Sequence, residues 1–428
     1  MRDQRRHPDT PGVNSRSEFQ RDRERILHAT AFRRLAGVTQ VVGPHEGHSF
    51  HNRLTHVLKV AQISRGLALQ LKSDPANEII IATAGGLDAD VAESAALAHD
   101  LGHPPFGHIA EEELDHCVKA RGLTDGYEGN AQSFRIVTKL AIRSDSPGLN
   151  LTAASLNALL KYPWRREAAG KKHRKFGAYS SELEDFLFAR QGATDDRKSL
   201  EAEIMDWADD IAYSVFDLED FFKAGLIPLH RLFSRDDRER KAFLDRTAAR
   251  WKSAEDPRRI EDHADAIETL AGIVPVQDAF DGGREARKSL RNLTTTLVGS
   301  YMKGVTITPN GANRLTIPEE NRRVVSILKE MTWDYVITSE SLSTQQFGFR
   351  RIIREIYDIF FEEACSSRWQ IFPVGTREAL QEASNSKSSP GLVRVVADYV
   401  ASLTEQQAIG IHHRLVGTAA GSALRPPL

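Results

Sequence analysis

Four polar positions in this chain have the types and the setting to hold a metal ion. His56 closes the run Asn52-Arg53-Leu54-Thr55-His56. His99 and Asp100 stand together in Ala98-His99-Asp100-Leu101-Gly102-His103-Pro104-Pro105-Phe106-Gly107-His108, and Asp209 lies in Trp207-Ala208-Asp209-Asp210-Ile211-Ala212-Tyr213. Two imidazoles and two carboxylates suit a divalent ion that takes mixed nitrogen and oxygen ligands. Four protein ligands on a six-coordinate ion leave room for water and a substrate oxygen, as a hydrolytic site requires. Any single one of the 15 histidines says little, because most histidines are surface or hydrogen-bonded residues. The setting of His99-Asp100 says more. Val91–Ala98 reads as a buried helix whose alanines permit close packing. An imidazole and a carboxylate at its end would be costly to bury unpaired. Gly102, Pro104, Pro105 and Gly107 then break the helix, and a second helix is expected from about Gly107.

Helical spacing groups other side chains with these four. Arg53 and His56 are three apart and share a face. The Arg53 fork suits two parallel hydrogen bonds to phosphate oxygens beside a metal, the plain alternative being a surface salt bridge. His108 and Glu111 are also three apart, and Tyr213 is four beyond Asp209. Asp210 competes with Asp209 for the ligand position. The most basic stretch is Arg165-Arg166 with Lys171-Lys172-His173-Arg174-Lys175, which reads as a solvated face or as counter-charge for a polyanion.

The elements that must position these residues are helices. Residues 1–20 are polar, with Pro8, Pro11 and Gly12, and are expected to form a mobile arm. Helical periodicity follows near 21–36, 53–72, 89–99, 107–121, 129–141, 152–160, 181–190 and 198–224. A basic loop is expected over 161–177, and a hinge or loop near Ser384–Pro390. The exception to helix is 303–318, where Val305-Thr306-Ile307-Thr308 and Arg314-Leu315-Thr316-Ile317 flank Pro309-Asn310-Gly311 and read as a β-hairpin. The fold class is therefore all-α with one small β element. The expected division is an arm over 1–20, a core with the metal site over 21–235, and a helical C-terminal region over 236–428.

Composition narrows the class. The chain has 428 residues, 27% of them charged and 40% hydrophobic, which is ordinary for a globular protein. A net charge of −2 gives no general attraction to nucleic acid. Cys117 and Cys365 are the only cysteines, so a disulfide framework and a thiolate-rich zinc site are both excluded. No apolar run reaches membrane-spanning length, and the Arg-rich start lacks the apolar core of a signal peptide. A cytoplasmic enzyme without membrane contact is expected.

The pattern His56…His99-Asp100…Asp209 resembles the signature of the HD-domain phosphohydrolases. The longer string from His99 to Glu111 narrows this to the deoxynucleoside triphosphate triphosphohydrolases, the bacterial dGTPase-like group. Further matches are Phe32-Arg33-Arg34-Leu35, Thr39-Gln40-Val41, Tyr127-Glu128-Gly129-Asn130-Ala131-Gln132, Lys161-Tyr162-Pro163 and Asp398-Tyr399-Val400. The likeness is clearest over about residues 20–225. It implies that one divalent ion, Mg²⁺, Mn²⁺ or another transition metal, is held by His56, His99, Asp100 and Asp209. It selects Asp209 over Asp210, because the ligand stands four residues before the tyrosine. It also implies that His108 and Glu111 are an acid–base pair, and that Gln40, Arg53, Lys161, Lys175 and Tyr213 contact the nucleotide. The implied reaction converts a deoxynucleoside triphosphate into deoxynucleoside and inorganic triphosphate. A homo-oligomer is expected from the same resemblance, while a nucleotide effector and a nucleic-acid partner are left open. Two other readings compete: an HD phosphohydrolase acting on another nucleotide, and a nucleotide-responsive binding protein. Binuclear HD phosphodiesterases need additional histidines at ligand spacing, and the sequence between His56 and Asp209 predicts no such set.

Overall fold

The computed structural model describes residues 2–9, 15–41, 50–167, 170–193, 195–234, 236–254, 258, 260–273, 278–309, 313–385 and 389–419. The first half runs α1 (Glu18–His28), α2 (Thr30–Arg34), α3 (Arg53–Ser73), α4 (Glu78–Thr83), α5 (Ala89–Ala98), α6 (His108–Ala120), α7 (Gly129–Arg135), α8 (Ala153–Leu159), α9 (Lys171–Arg174), α10 (Leu183–Arg190) and α11 (Leu200–Lys223). The second half runs α12 (Leu229–Leu232), α13 (Arg238–Ser253), α14 (Ile260–Ile273), α15 (Arg284–Met302), α16 (Glu319–Thr332), α17 (Glu340–Cys365), α18 (Val374–Asn385), α19 (Ser389–Ala401) and α20 (Glu405–Leu415). Among the described residues the only sheet is the expected hairpin, trimmed to Thr306–Ile307 paired antiparallel with Leu315–Thr316. The expected turn residues Asn310 and Gly311 lie outside the described residues. So does part of the expected hinge near Ser384–Pro390, whose flanks are helical.

α5 is the central helix. It packs against α1, α3, α8 and α11, and only Asp90 and Glu93 escape burial along it. Side chains as small as alanine let four helices approach it, which is why its sequence is apolar all round. Asp88 caps its start by accepting from Asp90 N at 2.8 Å. Its C-terminal end delivers His99 into the interior. Asn52 caps α3, accepting from Thr55 N at 2.9 Å, so Arg53 and His56 occupy the first turn. Ser199 caps the 24-residue α11 in the same way.

The loop after α5 is held tightly. The Ser133 hydroxyl donates to His99 O at 2.8 Å and accepts from Gly102 N at 2.8 Å. A Cβ on Gly102 would lie 2.2 Å from Gly129 O and 2.3 Å from Ser133 N, so only glycine lets α7 approach this closely. Phe106 and Gly107 then adopt φ of 67° and 63°, reversing the chain into α6.

Residues 2–9 are not the mobile arm that their composition suggests. Arg5 is bound to Asp22 Oδ1 and Asn150 O, each at 2.6 Å, and Asp22 is fully buried. Arg2 reaches Glu201 and Arg6 reaches Asp185. Ala153 N and Ala154 N donate to Gln4 O and Arg2 O, each at 2.9 Å. The partners lie far along the chain, and composition cannot reveal them.

Two main apolar clusters form the interior. The larger runs from Ile26 to Leu342 and includes α1, α3, α5, α8, α11, α15 and α16. The second joins α6 to α17, α19 and α20. Stacking of Phe106 on Phe349, with ring centroids 4.1 Å apart, fixes the turn before α6 to α17.

Gly102→Ala should lower unfolding free energy by about 1–3 kcal/mol in a denaturant titration, through the backbone overlap just described. Gly299→Ala, at an exposed position of α15 where a Cβ would meet nothing within 4 Å, should instead stabilise by about 0.5–1 kcal/mol. Equal effects at the two sites would contradict the close approach at Gly102.

Candidate active site

α3, α5 and α11 bring His56, His99 and Asp209 together, with one ligating atom from each lying within 4.8 Å of the others. His56 Nε2 is 3.0 Å from Asp209 Oδ1, and His99 Nε2 is 3.6 Å from the same oxygen. Asp100 Oδ1 is 3.4 Å from His99 Nε2. His99 Nδ1–H donates to Ala96 O at 2.6 Å, which turns the buried Nε2 toward Asp100 and Asp209 without a hydrogen-bond partner. An imidazole oriented in this way is prepared to ligate a metal. His56, His99 and Asp209 therefore fit a divalent ion by donor type and proximity, and Asp100 stands beside them with Oδ2 held by Arg53 and Oδ1 turned to His99. Asp210 instead pairs with Lys329 at 2.5 Å, leaving Asp209 as the inward carboxylate.

Buried charges here are balanced by named partners. Burial would raise the Asp100 carboxyl, but Arg53, His99 and His103 outweigh it and hold it far below the usual carboxylate range. Burial is likewise overcome at Asp209 by Lys161, His56 and His99. Burial would lower the His99 imidazole, but Asp100, Asp209 and the Ala96 carbonyl leave it raised. At His56 burial prevails and the pKa is lowered.

The residues expected to contact a nucleotide line one cavity of about 790 Å³: Gln40, Arg53, Lys161, Lys175 and Tyr213, with His99, Asp100, His108 and Asp209. Arg53 is buried and fixed by Asp100 Oδ2 at 2.5 Å and Thr39 O at 3.1 Å. Lys161 pairs with Asp209 at 2.8 Å and Asp206 at 2.9 Å. Lys175 spans Glu111 at 2.9 Å and Glu128 at 3.0 Å. Gln40 Oε1 is buried without a hydrogen-bond partner. His108 Nδ1 lies 2.9 Å from Glu111 Oε2, and its side chain is 66% exposed toward the cavity. Glu111 is buried behind it, its carboxyl held well down, against burial, by His108 and Lys175.

Comparison with known proteins places the chain within a family. The HD domain family matches residues 53–214, the span from Arg53 past Tyr213, and the phosphohydrolase-associated domain matches residues 315–414. Deoxyguanosinetriphosphate triphosphohydrolase-like proteins are similar over nearly the whole length. That of Corynebacterium efficiens is 38% identical over 92% of this chain and 90% of its own. That of Streptomyces coelicolor is 37% identical over 94% and 93%, and that of Bifidobacterium longum 31% over 95% and 84%. The chain belongs to this HD phosphohydrolase family. The phosphohydrolase-associated part of this HD protein supplies the far cavity wall: Trp333, Ile337, Leu342 and Phe349 from the segment after α16 and from α17. Nothing in the individual sequence of α17 announces that contact. No described helix is long and apolar enough to cross a membrane.

Where the sequence predicted no further set of histidines at ligand spacing between His56 and Asp209, the turn through Phe106 and Gly107 brings His103 and His108 to the same place as Glu111, a grouping that could hold an ion. His103, four residues beyond His99 in the quoted motif, was the available signal. Asp217 also escaped notice; it is buried one turn beyond Tyr213, and burial pushes its carboxyl well above the usual range.

The C-terminal part is tied to the cavity wall by Glu405. This buried carboxylate accepts from Thr39 N at 2.6 Å and from the Thr39 hydroxyl and Phe106 N. Burial pushes it up to about 7, against those bonds. The folded state then binds the Glu405 proton more tightly than the unfolded state. Its stability is retained below about pH 4.5 and declines as pH rises through about 7. Glu405→Gln should remove this decline, on the order of 2–3 kcal/mol between pH 4.5 and 8. The check is wild type against variant in denaturant at both pH values; parallel pH profiles would contradict it.

Proposed function

We propose that this chain is a metal-dependent deoxynucleoside triphosphate triphosphohydrolase, releasing deoxynucleoside and inorganic triphosphate. The observation that carries the reading is that the His56, His99 and Asp209 donors are gathered at the wall of a cavity that His99, Asp100 and Asp209 line together with Arg53, Lys161 and Lys175. The dGTPase-like names of relatives similar over most of the chain support it.

One divalent ion on His56, His99, Asp100 and Asp209 would supply positive charge to a nonbridging phosphate oxygen and orient a water. Arg53 is rigid, because Asp100 and Thr39 hold its guanidinium, and its remaining donors offset phosphate charge. Lys161 and Lys175 do the same along the triphosphate, exchanging carboxylate partners for phosphate oxygens. Water attacks the α-phosphorus, and the bond to the 5′ oxygen breaks. That oxygen leaves as a poor leaving group unless it gains a proton. His108, supported through Nδ1 by Glu111, is the group that serves the proton transfer. Tyr213 lies against the sugar and leaves a 2′-hydroxyl without space or partner.

The test is chromatography of products from each of the four dNTPs, singly and mixed, with several divalent metals. Triphosphate is expected. Monophosphate would favour an HD phosphohydrolase of another kind, and no turnover a nucleotide-responsive binding protein. Ribonucleotides should be poorer than deoxyribonucleotides by about 5- to 150-fold, the effect of an unsatisfied buried hydroxyl. His99→Ala should lose metal and turnover together, measured by mass spectrometry and rate. His108→Ala should keep the metal and lose about 10²–10⁴-fold in kcat. Wild-type turnover in either variant would remove its assigned role.

A further inference from the structure

We infer that His103, His108 and Glu111 form a second divalent-cation site beside the first, and that filling it inhibits the enzyme. The inhibitory half rests on the acid–base role given to His108 above; the binding half does not.

The ligand atoms are already gathered. One atom from each of the three residues lies within 4.8 Å of the others. Glu111 Oε2 is 2.9 Å from His108 Nδ1 and 3.8 Å from His103 Nε2. The other Glu111 oxygen is taken by Lys175 at 2.9 Å, so the carboxylate is fixed with Oε2 turned to the two imidazoles. His103 is buried, and its second nitrogen lies 3.2 Å from Asp100 Oδ1. The second nitrogen thus faces a carboxylate, as the outer N–H of a metal-bound histidine does, although it makes no hydrogen bond to it here. It also links the two candidate sites through the Asp100 carboxylate.

Space and charge permit an ion. The wall beside the cluster is Gly129, where a Cβ would come 3.3 Å from His103 Nε2 and 3.4 Å from Glu111 Oε2. Glycine keeps that volume open. Glu111 and Glu128 together outnumber the single ammonium of Lys175 between them. The exposed His108 ring borders the cavity and gives an ion its way in. Two nitrogens and one oxygen select a borderline ion such as Zn²⁺, Ni²⁺ or Co²⁺, whereas Mg²⁺ prefers oxygen alone.

An ion bound to His108 Nδ1 displaces the proton that this nitrogen shares with Glu111. Proton transfer through the pair then stops. The site is therefore regulatory: the first equivalent of metal activates and the second inhibits.

The experiment titrates Zn²⁺ alone into the metal-stripped full chain, counting bound ions by calorimetry and by metal analysis after dialysis. Two tight equivalents are expected in wild type and one in both His103→Asn and Glu111→Gln, with circular dichroism confirming that each variant folds. In wild type, dNTP turnover should rise over the first equivalent and fall at least tenfold over the second. A single equivalent in wild type, or two in both folded variants, overturns the site. Two equivalents without inhibition overturn its regulatory role. The zinc count needs no substrate, so it can succeed even if no dNTP is hydrolysed. Conversely, turnover by a chain that binds only one zinc overturns this inference and leaves the proposed function standing.

Discussion

Burying ionised groups costs far more than burying methyl groups, and this fold is organised around meeting that cost at His99-Asp100. Both residues stand at the end of a helix that is apolar on nearly every side, where they are buried but for the edge that lines the cavity. The compensation arrives from three directions. Arg53 comes from the first turn of α3, Asp209 comes from α11 and its partner Lys161 from the loop after α8, and Ser133 holds the His99 carbonyl. Removing any one would leave a buried charge or carbonyl unpaired. The same pairs that satisfy the interior also confine the donors to one spot.

The second half of the chain contributes by bracing. Phe349 on α17 stacks on Phe106, and Glu405 at the start of α20 holds Thr39 and the Phe106 amide. Arg34 gives its donors to the carbonyls of Leu101, His103 and Leu403, joining the loop after α5 to the C-terminal helices. Asp398 binds Arg135 and Gln132 from the same direction. The loop that carries His103 and the start of α6 is thus clamped between two apolar clusters. Such clamping suits a site in which a displacement of about 1 Å can cost 100-fold in rate.

Much of this was legible in the sequence, for reasons that differ by element. The all-Ala and Leu face of α5, the breakers from Gly102 to Gly107, and the alternation at 305–317 are local signals, and each produced its element. The spacing of Arg53 with His56, of His108 with Glu111 and of Asp209 with Tyr213 likewise survives, because helix geometry fixes it. What was not legible depends on partners distant in the chain. Arg2, Arg5 and Arg6 look like a solvated basic arm until Glu201, Asp22 and Asp185 come into reach. His103 passed as part of a turn, although that turn aims it at Glu111. The break at Ala29, with ψ of 141°, divides one expected helix into two and has no glycine or proline to announce it.

In the proposed reaction this buried centre directs water to the α-phosphorus of a deoxynucleoside triphosphate. This step is tested most directly by running the reaction of the metal-loaded chain with dGTP in ¹⁸O-labelled water and weighing both products. Deoxyguanosine without label and inorganic triphosphate carrying one ¹⁸O are expected. Label on the 5′ oxygen of the nucleoside, or release of pyrophosphate or monophosphate in place of triphosphate, would contradict it.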